Sequence, residues 1–142
     1  MLYFETSFLV PLILPEATSE RIAALVQQLP AEEFTISHWT RVEFSSLIAR
    51  EVHIGGLGVQ AAARADARFE AMANESFSVL LPNANDFGLA KQYLGQFETG
   101  LRAGDALHLA VAKNHRAAAI YTLDKTLLKA GNILDLPVST GI

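Results

Sequence analysis

The sequence predicts a three-layer α/β/α fold built on a mostly parallel central sheet. Three observations carry that expectation. Short β-prone runs at positions 2–4, 34–37, 77–81 and 118–123 alternate with segments of helical periodicity. The run from Ala118 to Leu123 is almost continuously apolar, as expected of a strand at the centre of a parallel sheet covered on both faces. The chain has 142 residues with neither a repeat nor a long linker, so residues 1–142 are expected to form a single domain.

Leu2-Tyr3-Phe4 is the first strand, closed by Glu5-Thr6-Ser7. A Thr or Ser there caps a helix from Phe8 to Leu14, which Pro11 and Pro15 keep short or kinked. Thr18-Ser19-Glu20 opens a second helix, with Ile22, Leu25, Val26 and Leu29 at helical spacing. Phe34-Thr35-Ile36-Ser37 has the β-propensity of the next strand. Thr40 is the expected cap of the helix that follows, which carries Val42, Leu47, Ile48 and Val52 and stops at Gly55-Gly56. Val59 to Ala73 is alanine-rich and helical.

Phe77 to Leu81 is a strand stopped by Pro82, and Asn85 or Asp86 caps a helix to about Phe97. After a loop at Thr99-Gly100, Leu101 to His115 is a helix with a small apolar face of Ala106, Leu107, Ala110 and Val111. Asp124 to Ala130 is a short helix ended by Gly131, and Pro137-Val138 adds an edge strand.

An apolar share of 51% with 18% charged residues excludes intrinsic disorder. The absence of cysteine excludes thiolate metal sites, thiol nucleophiles and a disulfide scaffold, and fits a reducing compartment. The apolar run from Phe8 to Leu14 follows Glu5 rather than a basic segment and is broken by Pro11, which is unlike a secretion signal. No apolar run approaches the ~20 residues of a membrane span. The expectation is a cytoplasmic chain with no membrane partner. Fifteen acids against eleven bases give a net charge of −4, the wrong sign for holding nucleic acid by bulk electrostatics.

Ligands of open parallel sheets bind beyond the carboxyl ends of the strands. Glu5 and Asp124 follow strands, while Glu43 and Asp105 sit near the starts of helices, so converging loops would gather four carboxylates. Each acid also has an ordinary role open to it. Asp124 precedes Lys125-Thr126-Leu127 as an N-cap would, Glu43 and Asp105 complement helix N-termini, and Glu5 suits a solvated loop. Their surroundings favour a cluster. Asp105 lies within the small, apolar run Ala103 to Ala110, and Glu43 lies between Val42 and Phe44. Two carboxylates ~5 Å apart repel by about 3 kcal/mol at an effective dielectric of about 20. A cluster therefore implies raised pKa values or a bound cation. An all-oxygen set without Cys or paired His favours Mg²⁺ or Mn²⁺ over Zn²⁺.

Glu5-Thr6-Ser7 after the first strand, the helix around Glu43, the run Leu101-Arg102-Ala103-Gly104-Asp105-Ala106-Leu107-His108-Leu109-Ala110 and the segment Tyr121-Thr122-Leu123-Asp124 together resemble a PIN domain. More narrowly, the chain is similar to the VapC-type toxins of bacterial toxin–antitoxin pairs. The resemblance spans nearly the whole chain, and Gly104-Asp105-Ala106-Leu107-His108 is its most specific part. It implies a Mg²⁺- or Mn²⁺-dependent endoribonuclease with an RNA substrate and a cognate antitoxin, assembled as a homodimer or a toxin–antitoxin hetero-oligomer. By the same resemblance Glu5, Glu43, Asp105 and Asp124 are the catalytic acids that hold the metal, and Thr6, Ser7 and Thr122 are polar groups behind them. One position departs from the pattern: the family's first acid is normally aspartate, and here it is Glu5. The extra methylene defines the alternative expectation, a catalytically weakened PIN domain that acts by binding protein or RNA.

Arg41, Arg102 and Lys125 each lie close in sequence to one of these acids, as candidates for phosphate contacts or for salt bridges to the acids themselves. His38, His53, His108 and His115 are dispersed, and His108 reads as a helix residue with a satisfied hydrogen bond. Arg64 with Arg68, and Asp66 with Glu70, read as a solvated helix face, and Trp39 as packing. Setting the four site acids aside leaves eleven acids against eleven bases, so the acidity points to one pocket rather than to the whole surface.

Overall fold

β1 (Leu2–Phe4), β2 (Phe34–Ser37), β3 (Ser78–Leu80), β4 (Ala119–Tyr121) and β5 (Val138–Ser139) form one sheet in the order β3-β2-β1-β4-β5. These elements are taken from a computed structural model that describes all 142 residues. Every neighbouring pair is parallel. Successive strand residues face opposite sides. Leu2 and Phe4 pack on one side with Phe8, Ile36, Phe44 and Phe69, while Tyr3 faces the other with Leu109, Ile120 and Leu127.

Seven helices cover the two faces. α1 (Thr6–Ile13), α2 (Ser19–Val26), α3 (His38–His53) and α4 (Val59–Ser76) pack around the first cluster. α5 (Ala84–Leu94), α6 (Ala103–Asn114) and α7 (Lys125–Ile133) pack around the second. This is the three-layer arrangement the alternation predicts. Between α3 and α4 the rings of Phe44 and Phe69 stack with centroids 4.2 Å apart. No helix is long and apolar enough to cross a membrane.

Several element ends differ from the sequence expectation, each for a local reason. Ser37, not Thr40, caps α3: its Oγ accepts from Thr40 N–H, and the Thr40 hydroxyl accepts from Ser37 N–H in return. Asn83 caps α5 ahead of Asn85 and Asp86, and Asp86 closes the reciprocal bond to Asn83 N–H. α5 stops at Leu94, and a 3-10 turn over Phe97–Thr99 with a left-handed Gly100 (φ +67°) separates it from α6. α6 therefore begins at Ala103, with Arg102 in the cap position. α7 runs through Gly131 to Ile133, and a side chain at Gly131 would collide with Val138. Glycine lets α7 lie directly against β5.

The charged residues of α4 do not form a simple solvated face either. Glu70 receives Arg41 of α3, Asp66 accepts from the Ser45 hydroxyl, and Arg68 donates to the Ile13 carbonyl. They tie α4 to α3 and α1.

Strand order reverses at β1, whose neighbours are β2 and β4. That switch point brings the carboxyl ends of β1 and β4 beside the start of α3, where open parallel sheets place their ligands.

Candidate active site

Glu5, Glu43, Asp105 and Asp124, which are distant in sequence, all line one cleft of about 610 Å³. Each arrives on a different support. Glu5 follows β1 and takes the cap position of α1, Asp124 follows β4 and caps α7, Glu43 lies in the second turn of α3, and Asp105 lies in the first turn of α6.

Hydrogen bonds divide the oxygens of the first three acids between protein and cleft. Glu5 is 5% exposed, and its Oε2 accepts from Ser7 Oγ at 2.5 Å and from Thr122 Oγ1 at 2.7 Å. Thr122 Oγ1 in turn accepts from Asp124 N–H at 3.1 Å, and Ser7 Oγ from Leu123 N–H at 2.9 Å, so the two hydroxyls lock the first and last acids together. Asp124 Oδ1 accepts from Leu127 N–H at 3.0 Å. Its capping and cleft-facing roles coexist, one oxygen for each. Glu43 Oε1 accepts from Thr6 Oγ1 and from His108 Nε2, both at 2.5 Å. Glu5 Oε1, Glu43 Oε2 and Asp124 Oδ2 remain without protein partners.

Asp105 differs from the other three. No protein donor stabilises its charge, and burial, followed by the charges of Asp124, Glu5 and Glu43, pushes its pKa up to about 6 despite opposition from His108. Glu43 moves the other way. Burial alone would raise it, but the hydrogen bond and charge of His108, with help from Thr6 and Trp39, hold it below the ordinary carboxylate value. Trp39 Nε1 itself is buried without a hydrogen-bond partner. His108 is fully buried. Burial alone would lower its pKa, yet the Tyr3 oxygen, the Glu43 hydrogen bond and the charges of Glu43 and Glu5 raise it to about 10.

Gly104 explains the approach of α3 to α6. A Cβ there would stand 2.8 Å from Glu43 Oε2 and 3.1 Å from the Trp39 ring. The helix start must be bare for the Glu43 carboxylate to sit over it.

The predicted basic residues separate. Arg102 is exposed on the rim of the cleft. Arg41 is turned away: its guanidinium binds Glu70, with Nε 3.0 Å and Nη2 2.9 Å from the carboxylate oxygens, and meets His38 Nδ1 at 2.9 Å. Of the two roles open to Arg41, the structure shows a salt bridge, made to Glu70 rather than to one of the cleft acids. Lys125 is exposed at the first position of α7 and does not line the cleft. Sequence reasoning missed Arg50, an exposed rim residue on the same helix as Glu43 and seven residues on, a spacing of about two turns that places both on one helix face. It also assigned no role at the site to Tyr3 or Trp39, and to His108 only an unspecified hydrogen bond.

Ligand-type atoms of Glu5, Glu43 and His108 lie within 4.8 Å of one another. With the free oxygens of Asp105 and Asp124 in the same cleft, the donor set is acidic and oxygen-rich, which fits a hard divalent cation. Beside this cleft, and sharing Trp39 and Val42 with it, lies an apolar groove of about 490 Å³ that includes exposed Leu81 and Phe87.

The PIN-domain family model matches residues 2–133, and the chain belongs to that family. No curated protein matches it in sequence. Among solved structures it is similar to FitAcB from Neisseria gonorrhoeae, with 19% identity, a TM-score of 0.72 and coverage of 99% of this chain and 98% of that one. Mycobacterium tuberculosis VapC20, described as a sarcin-ricin loop cleaving toxin, superposes with a TM-score of 0.73 at 22% identity over 92% of this chain and 95% of its own. VapBC-1 from nontypeable Haemophilus influenzae gives 0.70 at 19% identity, covering 99% and 98%. At these identities the likeness is one of fold.

Proposed function

We propose that the protein is a Mg²⁺- or Mn²⁺-dependent endoribonuclease, the toxin of a toxin–antitoxin pair. The observation that carries this reading is the division of oxygens in the cleft. Protein donors hold one oxygen each of Glu5, Glu43 and Asp124, leaving the other for a ligand, while Asp105 has its pKa raised by burial and then by its neighbours' charges and has no donor of its own. Clustered carboxylates of this kind call for a cation.

Glu5, Glu43, Asp105 and Asp124 would hold it, and a bound Mg²⁺ or Mn²⁺ would supply Lewis acidity and an activated water for phosphodiester hydrolysis. Ser7, Thr6 and Thr122 orient the carboxylates. Arg50 and Arg102 on the rim place positive charge where an RNA phosphate would enter. RNA as substrate is this reading's own step, supported by the PIN fold and by the likeness to VapC20, described as a sarcin-ricin loop cleaving toxin. A cognate antitoxin is the partner this reading implies, and the apolar groove beside the cleft is a surface that could receive a protein. A homodimer and a cytoplasmic location belong to the same reading.

The purified protein is expected to cut RNA with Mg²⁺ or Mn²⁺ and to lose the activity in EDTA or as Asp105→Asn. Cleavage that survives both would refute the mechanism. The competing reading, a PIN domain that only binds, is motivated by Glu5. Its longer side chain still leaves Oε1 free, which favours the enzyme. A protein inert with every divalent ion, and switched on by Glu5→Asp, would favour the binder.

A further inference from the structure

Below the cleft runs a chain of polar groups that the proposed hydrolysis does not itself use. Tyr3 and His108 are both 0% exposed. The Tyr3 hydroxyl donates to Ser37 Oγ at 3.1 Å and meets His108 Nδ1 at 2.8 Å. On the far side of the imidazole, Nε2 reaches Glu43 Oε1 and lies 3.3 Å from Thr6 Oγ1. A carboxylate only accepts, so Nε2 carries a proton toward Glu43, and Nδ1 is engaged by Tyr3. Neither nitrogen has a lone pair to spare for the cleft. Despite its proximity to Glu5 and Glu43, His108 is a support for an acid and not a ligand.

The connectivity gives this chain a purpose beyond filling the core. Ser37 caps α3, and Glu43 lies six residues further along the same helix. Tyr3 fixes the first and, through His108, the second. The strut thus refers both points of α3 to β1 and α6, the elements that also present Glu5 and Asp105. With Oε1 held by Thr6 and His108, and Gly104 bare beneath it, Oε2 is the oxygen that Glu43 offers to the cleft.

We infer that Tyr3 and His108 are positioning residues, a buried hydroxyl–imidazole strut that aims Glu43 Oε2 into the cleft and thereby sets the site's affinity for a divalent cation. This rests on the proposed metal-assisted reading. Groups that hold metal ligands typically contribute 10- to 100-fold in affinity.

The test is a double-mutant cycle in Mn²⁺ binding, measured calorimetrically on the full chain. The four proteins are wild type, Tyr3→Phe, Glu43→Gln and the double variant. Tyr3→Phe keeps the ring and removes only the hydroxyl. It is expected to weaken Mn²⁺ binding about tenfold or more in the wild-type background and to have no further effect once Glu43 is Gln. Equal Mn²⁺ affinity for wild type and Tyr3→Phe would overturn the strut while leaving the metal site standing. An equal loss in both backgrounds would also overturn it, by showing a general structural role. Absence of Mn²⁺ binding by wild type would overturn the metal reading and the strut with it. If Tyr3→Phe does not fold, His108→Gln takes its place in the same cycle, with the same outcomes.

Discussion

Replacing Asp105 by Asn should make the metal-free protein more stable at neutral pH, although it removes a proposed metal ligand. The Asp105 pKa rises from 3.8 to about 6, first through burial and then through the charges of Asp124, Glu5 and Glu43. At 1.36 kcal/mol per tenfold, that rise corresponds to about 3 kcal/mol against the charged form. Asp105 is only partly buried, and screening reduces the figure to roughly 1–2 kcal/mol. The sign follows from linkage. A raised pKa in the folded state means that the protonated carboxyl favours folding. That contribution is complete below about pH 4 and is lost as pH climbs through 6. Asparagine mimics the protonated form at every pH. In EDTA, Asp105→Asn is therefore expected to melt roughly 3 to 10 °C above wild type at pH 7.5, with the gap closing toward pH 4. Added Mn²⁺ should reverse the order by stabilising wild type more. Thermal melts across pH 4 to 8 would refute the reasoning if the gap were flat, or if the variant melted lower at pH 7.5 without metal.

Three further outcomes follow from the same geometry. Gly104→Ala would place a Cβ against Glu43 Oε2 and the Trp39 ring, so RNA cleavage should fall at least tenfold while circular dichroism shows the fold retained. Gly131→Ala should cost about 1–3 kcal/mol in urea unfolding despite alanine's better helix propensity, and Val138→Ala in the same chain should recover part of it. Arg102→Ala should raise KM for RNA with little change in melting temperature, whereas Arg41→Ala, which loses the Glu70 pair, should leave cleavage kinetics unchanged.

Much of this arrangement was legible in the sequence because it depends on local pattern and on one rule of topology. Strand–helix alternation gave the layers, and the carboxyl ends of Leu2–Phe4 and Ala119–Tyr121 are where an open parallel sheet gathers acids. The helix caps were harder. Ser37 and Thr40 bond reciprocally, so either hydroxyl satisfies the same sequence signature. Gly131 reads as a helix stop, and only the closeness of Val138 shows why a glycine stands inside α7. Arg41 stands two residues from Glu43 in sequence, yet helical geometry turns it toward Glu70, while Arg50, seven residues from Glu43, reaches the rim. The Tyr3–His108–Glu43 chain joins residues 105 and 65 positions apart, and no local signal records such a contact.

The claim at the centre of this account is that four acids form one site for a hard divalent cation. Isothermal titration of Mn²⁺ and Mg²⁺ into wild type and Asp105→Asn tests it most directly. Saturable binding to wild type, weakened tenfold or more by the substitution, is the predicted result. Identical isotherms for the two proteins, or no binding to wild type at millimolar ion, would contradict it.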